Sequence, residues 1–300
     1  MKISVNTNNA DNFAFLKECG FDACDFQLGI LFSKDRELGN MNAISHSQIE
    51  ETFTAIRERA EAVSFEIGQT HSAFSGHPRH YNFDMDDIVK RQIASIKATH
   101  YLGSKHCVVH PIITPGRHYD KLTKKAFDES VDFYKRLTDT LEEYDVYCCI
   151  ENMWVCDPVY KHICSTILSH AEEMVDMCDV LGDRFKICID TGHGLLTQDA
   201  PAEMVRICKD KLACLHTHDN DGILDLHAFP FLPCGKPYGT SWEPIRMDWT
   251  DFMKALDEVD YRGNLNFEIA LPCPEPLRGA SLRYLAEIAK YLISQREIQY

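Results

Sequence analysis

Eight short apolar runs recur along the chain, each ending on a polar residue: Lys2–Asn6, Ala23–Gln27, Phe65–His71, Cys107–His110, Val146–Glu151, Lys186–Asp190, Leu212–His216 and Leu265–Glu268. Short runs of this kind, with few charges inside them, predict strands buried on both faces. Between the runs the period changes to that of a helix. Ser47-Gln48-Ile49-Glu50 has the form of a capping box opening a helix to about Val63. Val89, Ile93 and Ile96 make a helical stripe stopped by Gly103, and Phe127, Val131, Tyr134, Leu137 and Leu141 make another. Pro201 suits the first turn of a helix through Cys208, Thr250 caps one carrying Phe252, Leu256 and Val259, and Ala280–Ser294 is amphipathic. Strands alternating with helices predict parallel pairing, and eight such units predict an α/β fold, the (β/α)8 TIM barrel. No linker or low-complexity tract divides the chain, so a single barrel domain over residues 1–300 is expected. Two stretches fit no regular element, at about 72–83 and 220–249, and are expected to be long rim loops covering a pocket.

In such a barrel the C-terminal ends of all strands meet on one rim. Six of the eight runs end on His, Asp or Glu, so the pattern predicts a cup lined by imidazoles and carboxylates. Glu151, Asp190, His216 and Glu268 end the last four strands, and the eighth strand neighbours the first. Three carboxylates and one imidazole form a hard donor set suited to Mn²⁺, Mg²⁺ or Co²⁺ and tolerant of Zn²⁺. A cation would also offset the repulsion that otherwise keeps one carboxylate protonated. Singly, a Glu or His at a strand end is more often a salt-bridged or hydrogen-bonded rim residue. The recurrence at equivalent positions carries the metal reading.

Composition narrows the partners. The apolar fraction of 45% supports a sizeable core, and no segment approaches the roughly 18 uninterrupted apolar residues of a membrane span. The first residues run straight into a strand without a leader pattern, so a cytoplasmic protein is expected. Thirteen cysteines are an odd count, and Cys107, Cys148, Cys149, Cys188 and Cys214 sit inside apolar runs. They read as small core residues in a reducing compartment. Lys plus Arg number 31 against 46 Asp plus Glu, a formal charge of −15. Such a surface repels phosphate backbones, and no nucleic-acid partner is expected.

Ile150-Glu151-Asn152, Asp190-Thr191-Gly192-His193, the stretch from Leu215-His216 to Asp221-Gly222, and Asn266-Phe267-Glu268 resemble successive strand-end motifs of the xylose isomerase-like TIM barrels. That superfamily holds ketose 3-epimerases, inosose dehydratase-like enzymes, related sugar isomerases and endonuclease IV. The resemblance spans nearly the whole chain. It implies one divalent ion on Glu151, Asp190, His216 and Glu268, with Glu151 and Glu268 exchanging a proton beside a carbonyl through a metal-stabilised enediolate. It also implies that His193 binds a substrate oxygen. Where the epimerases offer an Arg after the metal His, this chain has Asp219-Asn220-Asp221. His71, His110, His193, Asp225 and His227 stand where endonuclease IV-like proteins place further zinc ligands. They are expected either to line the substrate space around one ion or to complete a cluster of two or three Zn²⁺.

The leading expectation is therefore a metal-dependent isomerase or epimerase of a small carbohydrate or polyol. A dehydratase or lyase could use the same site. A zinc-dependent abasic-site endonuclease is the rival from another class, and a non-catalytic ligand-binding barrel is a third, against which the paired glutamates argue. Homo-oligomerisation is left open.

Overall fold

The computed structural model describes residues 1–29, 45–73, 85–113, 124–157, 161–231, 247–271 and 273–296. Its strands are β1 (Ile3–Thr7), β2 (Ala23–Gln27), β3 (Glu66–His71), β4 (His106–Val109), β5 (Tyr147–Glu151), β6 (Trp154–Cys156), β7 (Ile163–Ser165), β8 (Phe185–Asp190), β9 (Leu212–His216) and β10 (Leu265–Phe267). Its helices are α1 (Phe13–Cys19), α2 (His46–Ala62), α3 (Met85–Tyr101), α4 (Lys124–Lys135), α5 (Thr138–Glu143), α6 (Ala171–Leu181), α7 (Thr191–Leu196), α8 (Pro201–Cys208), α9 (Trp249–Glu258) and α10 (Arg278–Arg296).

Eight strands pair in the order β10-β1-β2-β3-β4-β5-β8-β9, each parallel to its neighbour. The two ends of this order are joined just beyond β9, where Thr217 N donates to Asn266 O at 2.8 Å and Glu268 N to Thr217 O at 3.3 Å. The sheet therefore closes, and the fold is the predicted (β/α)8 TIM barrel. Each predicted strand is present. Glu268 and His110 lie one residue past their strands, and Asn6 lies inside β1.

The helices depart from expectation in detail. The capping box of α2 is Ser45 with Gln48, not Ser47 with Glu50: Gln48 N donates to Ser45 Oγ at 3.3 Å and Ser45 N to Gln48 Oε1 at 2.8 Å. The stripe from Phe127 to Leu141 is split into α4 and α5. Arg136 N and Leu137 N there bond three residues back, to Phe133 O and Tyr134 O, and this tighter turn keeps Leu137 and Leu141 buried. Asp248 rather than Thr250 caps α9, accepting from Asp251 N at 3.0 Å. The final helix runs two residues beyond the predicted span at each end, from Arg278 to Arg296. The β6–β7 hairpin and α7 had no counterpart in the sequence reading.

Side chains alternate across a strand, so the residues two positions before the rim also point into the barrel. On one half these are Val108, Cys149, Cys188 and Cys214, which pack together. On the other half they are polar and buried: Ser4, Asp25, Gln69 and Asn266. The cysteines of the described residues are all free thiols, most of them buried. No helix of the described residues is long and apolar enough to cross a membrane.

Candidate metal centre

Glu151, Asp190 and His216 are carried inward by the last residues of β5, β8 and β9, and Glu268 follows β10. One ligand atom from each of the four can be chosen so that all lie within 4.8 Å of one another. His216 is the hinge of the group. Its Nδ1 lies 2.9 Å from Glu151 Oε1 and 3.3 Å from Glu268 Oε2, while its Nε2 donates to Asp25 Oδ2 at 2.7 Å. Asp190 is held by its neighbours: Asp190 N donates to Asn152 Oδ1 at 2.7 Å and Asn152 Nδ2 to Asp190 O at 2.9 Å. Its carboxylate also caps α7, accepting from His193 N at 2.7 Å.

The further residues singled out from sequence surround these four. His71 and His110 meet Glu151 from β3 and the end of β4. His110 Nε2 is 2.8 Å from Glu151 Oε2 and 3.0 Å from His71 Nε2, and His71 Nε2 is 3.6 Å from the same carboxylate oxygen. A single imidazole nitrogen cannot accept from one of these partners and donate to the other at once. A shared cation would resolve that conflict. On the opposite side, Asp225 reaches His227 Nε2 at 3.4 Å and His193 Nε2 at 3.7 Å. His227 is itself fixed by Nδ1 donating to Glu268 O at 2.8 Å, and His193 by Nδ1 donating to Asn152 O at 2.8 Å. In each of the triads His71/His110/Glu151 and His193/Asp225/His227, one ligand atom per residue can likewise be chosen so that all lie within 4.8 Å of one another.

Charge and burial set the protonation. Burial opposes every charge here, yet the surrounding carboxylates win at most histidines. Glu151 lifts His71 to about 9 despite burial. Asp190 and Asp225 lift His193 to about 10, and Asp225 lifts His227 to about 9. His216, between Glu151, Glu268 and Asp25, is raised well above its ordinary value. His110 is the exception, pulled down by burial. Burial raises Asp190, but His193 and His218 outweigh it and hold the carboxyl at about 2, and His216 and His110 likewise hold Glu151 well below the carboxylate range.

The pocket over this centre has a volume of about 330 Å³. One wall is polar, formed by Gln27, His71, His110, Glu151, His193, Asp225, His227 and Glu268. The other is apolar, formed by Ile113 and the β6–β7 hairpin through Met153, Trp154 and Val155. Trp154 stands edge-on to His193, ring centroids 6.3 Å apart. Of the expected rim loops, Ser72, Ala73 and the stretch from Asn220 to Phe231 are described, and the latter supplies Asp225 and His227. Positions 74–83 and 232–246, with Trp242 and the prolines between them, lie outside the described residues. A wider depression at the other end of the barrel is lined by Lys2, Lys17, Arg57 and Glu66; there Lys2 pairs with Glu66, Arg57 with Glu61, and Lys17 donates to Val63 O and Ser64 O.

The profile of the xylose isomerase-like TIM barrel family matches residues 13–288. The chain belongs to that family. Among solved structures the fold is similar to a D-psicose 3-epimerase crystallised with D-fructose (TM-score 0.69, 13% identity, 98% of this chain and 99% of that one). It is similar also to the IolI protein with a bound zinc atom (TM-score 0.68, 16% identity, 99% of both chains). A third is the apo 3-keto-D-glucoside 4-epimerase YcjR from E. coli (TM-score 0.65, 14% identity, 96% and 99%). A curated relative, the uncharacterized protein y4fM of Sinorhizobium fredii, is 24% identical over 172 residues. That match covers 56% of this chain and 48% of the relative, so the chain spans about half the relative's length.

Several residues of the xylose isomerase-like barrel site escaped the sequence reading. Asp25 and Gln69 sit one layer below the rim, where the chain reads as an ordinary strand interior. His218 lay in a quoted motif without a role. It is fully buried, with Nε2 3.1 Å from Asp190 Oδ1, and its ring stacks on His227 at 4.2 Å between centroids. Gly192 makes room for it, because a Cβ there would come within 1.8 Å of His218 Cε1. Asp219, in the stretch that departs from the epimerases, is buried and turned to the backbone. It accepts from Asn220 N, Met247 N, Phe231 N and Trp249 Nε1 at 2.9 to 3.3 Å.

Proposed function

We propose that this protein is a divalent-metal-dependent isomerase or epimerase of a small carbohydrate or polyol, acting in the cytoplasm as a single barrel domain. The observation that carries the reading is the convergence of Glu151, Asp190, His216 and Glu268 within 4.8 Å beside a pocket of about 330 Å³. That volume lies at the lower end of ligand sites and suits a molecule of monosaccharide size. The epimerase names of similarly folded proteins support the substrate class, and the zinc atom of IolI supports the metal.

Three carboxylates and an imidazole fit Mn²⁺, Mg²⁺, Co²⁺ or Zn²⁺. When bound, such an ion would polarise a substrate carbonyl and stabilise negative charge on its oxygen. The chain's own groups supply the rest. Glu151 and Glu268 approach the centre from strands on either side of it, so one can take a proton from the carbon beside the carbonyl and the other return one. His193, anchored to Asn152 O, presents Nε2 to the pocket as a donor to a substrate hydroxyl. The hairpin wall formed by Met153, Trp154 and Val155 excludes water from the apolar face of the sugar. A dehydratase or lyase would begin with the same proton abstraction.

The two outer triads favour a second reading, a cluster of two or three Zn²⁺ at the same rim. Such a cluster would generate hydroxide and direct the site toward hydrolysis, as in an abasic-site nuclease. The formal charge of −15 weighs against a DNA substrate.

The test is solvent deuterium incorporation into a panel of ketoses and polyols by Mn²⁺-loaded protein. Glu268→Gln should keep much of the metal affinity yet lose most exchange, because the amide oxygen can coordinate but carries no proton at neutral pH. Near-normal exchange in that variant would remove Glu268 from proton transfer. Incision of an abasic duplex by catalytic amounts of the zinc-loaded protein would favour the cluster instead.

A further inference from the structure

Asp25 is fully buried in β2, two residues before Gln27 and on the same inward face. Its placement is built by an irregularity. The β2–β3 register slips after Cys24, so that Cys24 pairs with Ile67 but Asp25 with Gln69. Gly68 is the extra residue, and a Cβ there would meet Asn264 Nδ2 at 2.0 Å. A bulge of this kind re-aims the side chains that follow it. Here it sets Gln69 beside Asp25, with Gln69 Nε2 donating to Asp25 Oδ2 at 3.2 Å and to Leu215 O at 3.4 Å. The same carboxylate oxygen receives His216 Nε2 at 2.7 Å.

We propose that Asp25 is a positioning residue that fixes His216 with a proton on Nε2, so that Nδ1, turned between Glu151 and Glu268, is the ring nitrogen left to a cation. The proposal rests on the reading that those groups hold a cation. A carboxylate can only accept, so the ring nitrogen facing Asp25 must donate. That leaves Nδ1 as the ligand atom, and it is the nitrogen that lies 2.9 Å from Glu151 Oε1 and 3.3 Å from Glu268 Oε2. Without Asp25 nothing on that side selects the ring's orientation, and a half-turn about Cβ–Cγ would put Cδ2 where Nδ1 now stands. Gln69 holds the carboxylate, and Gly68 makes the geometry sterically accessible. Outer carboxylates of this type orient a metal-ligating imidazole and raise its basicity, and their loss costs about 10–100-fold in metal affinity.

The experiment measures zinc affinity by competition with a chelator for wild type, Asp25→Asn and Asp25→Ala, and the ring-nitrogen resonances of His216 in ¹⁵N-labelled protein. Asp25→Asn should weaken zinc binding by about 10–100-fold, with Asp25→Ala weaker still. In zinc-loaded wild type, Nε2 should carry a slowly exchanging proton and Nδ1 the metal. Unchanged affinity in a folded Asp25→Asn protein, or metal on Nε2, overturns the proposal. Should Asp25→Asn fail to fold, the wild-type resonances decide it alone. A wild type that binds no zinc would refute the metal reading instead. The metal-free spectrum then decides the role of Asp25, with a protected Nε2 proton upholding its grip on His216 and an unprotected one overturning it.

Discussion

Replacing Asp219 tests how the rim is held together. Its two carboxylate oxygens accept four N–H groups: Asn220 N at 2.9 Å and Met247 N at 3.3 Å on Oδ1, Phe231 N at 3.2 Å and Trp249 Nε1 at 3.3 Å on Oδ2. Its backbone also exchanges two hydrogen bonds with Ala228, next to His227. Asp219 is 3% exposed, and of its donors those of Asn220, Met247 and Trp249 are buried, so Asp219→Ala leaves three donors that water reaches poorly, with Phe231 N nearer the surface. Hydrogen bonds to a charged group are worth about 1.5–3 kcal/mol each. Three of the four are long, so their joint loss is about 3–5 kcal/mol, a large part of the roughly 5–15 kcal/mol that holds a domain folded. Asp219→Asn keeps one acceptor and turns an NH₂ toward two donors, and should lose about half as much. The assay is the urea unfolding midpoint of the metal-free protein, with the slope checked for constancy. A loss below about 1 kcal/mol for Asp219→Ala would refute the claim that these bonds anchor the chain on either side of the rim.

Three further outcomes are expected. One equivalent of Zn²⁺ or Mn²⁺ should bind per chain and stabilise it by about 2.7 kcal/mol at a free concentration 100 times the dissociation constant. Two or three equivalents by metal analysis would install the cluster instead. The metal-free protein should lose stability as pH rises: His71 and His227 gain their partners at pKa values of about 9, so their contribution is whole below about 6.5 and disappears through about 9. Asp190, lowered to about 2, acts oppositely, losing its contribution only below the usual carboxylate range, and urea midpoints across pH measure both. Gly192→Ala should cost about 1–3 kcal/mol by overpacking and weaken metal binding, because the methyl must displace His218 from Asp190. An unaltered unfolding midpoint and metal affinity would show that the helix start can shift to admit it.

The rim was legible in the sequence because a strand that ends on a polar residue breaks its own apolar pattern, as Val146–Glu151 and Leu212–His216 do. The layer below was not. Asp25 sits between Cys24 and Phe26 in an otherwise buried strand, and only the slip at Gly68 reveals that it faces His216. Helix starts were misplaced for a related reason. Ser45 and Ser47 both satisfy the capping pattern locally, and only the bonds between Ser45 and Gln48 show which serine starts the helix. The β6–β7 hairpin is short, and its pattern is no different from that of a loop. Its place became visible only as the apolar wall beside Trp154 and His193.

The electrostatics of the site link its chemistry to its stability. Glu151, Asp190, Asp225 and Glu268 gather around one space with Asp25 a layer beneath His216, and among the described lining residues no Lys or Arg faces them. In the metal-free chain the positive charge that offsets them comes from His71, His193, His216 and His227, each pushed upward by those same carboxylates. A divalent ion bound among Glu151, Asp190, His216 and Glu268, as proposed, would take over that role and would have to displace a proton from His216 Nδ1. Protons and metal therefore compete for one deficit of charge. Metal affinity should rise with pH over the range in which the metal-free fold weakens, so the ion becomes most valuable to the fold where the imidazoles give up their charge.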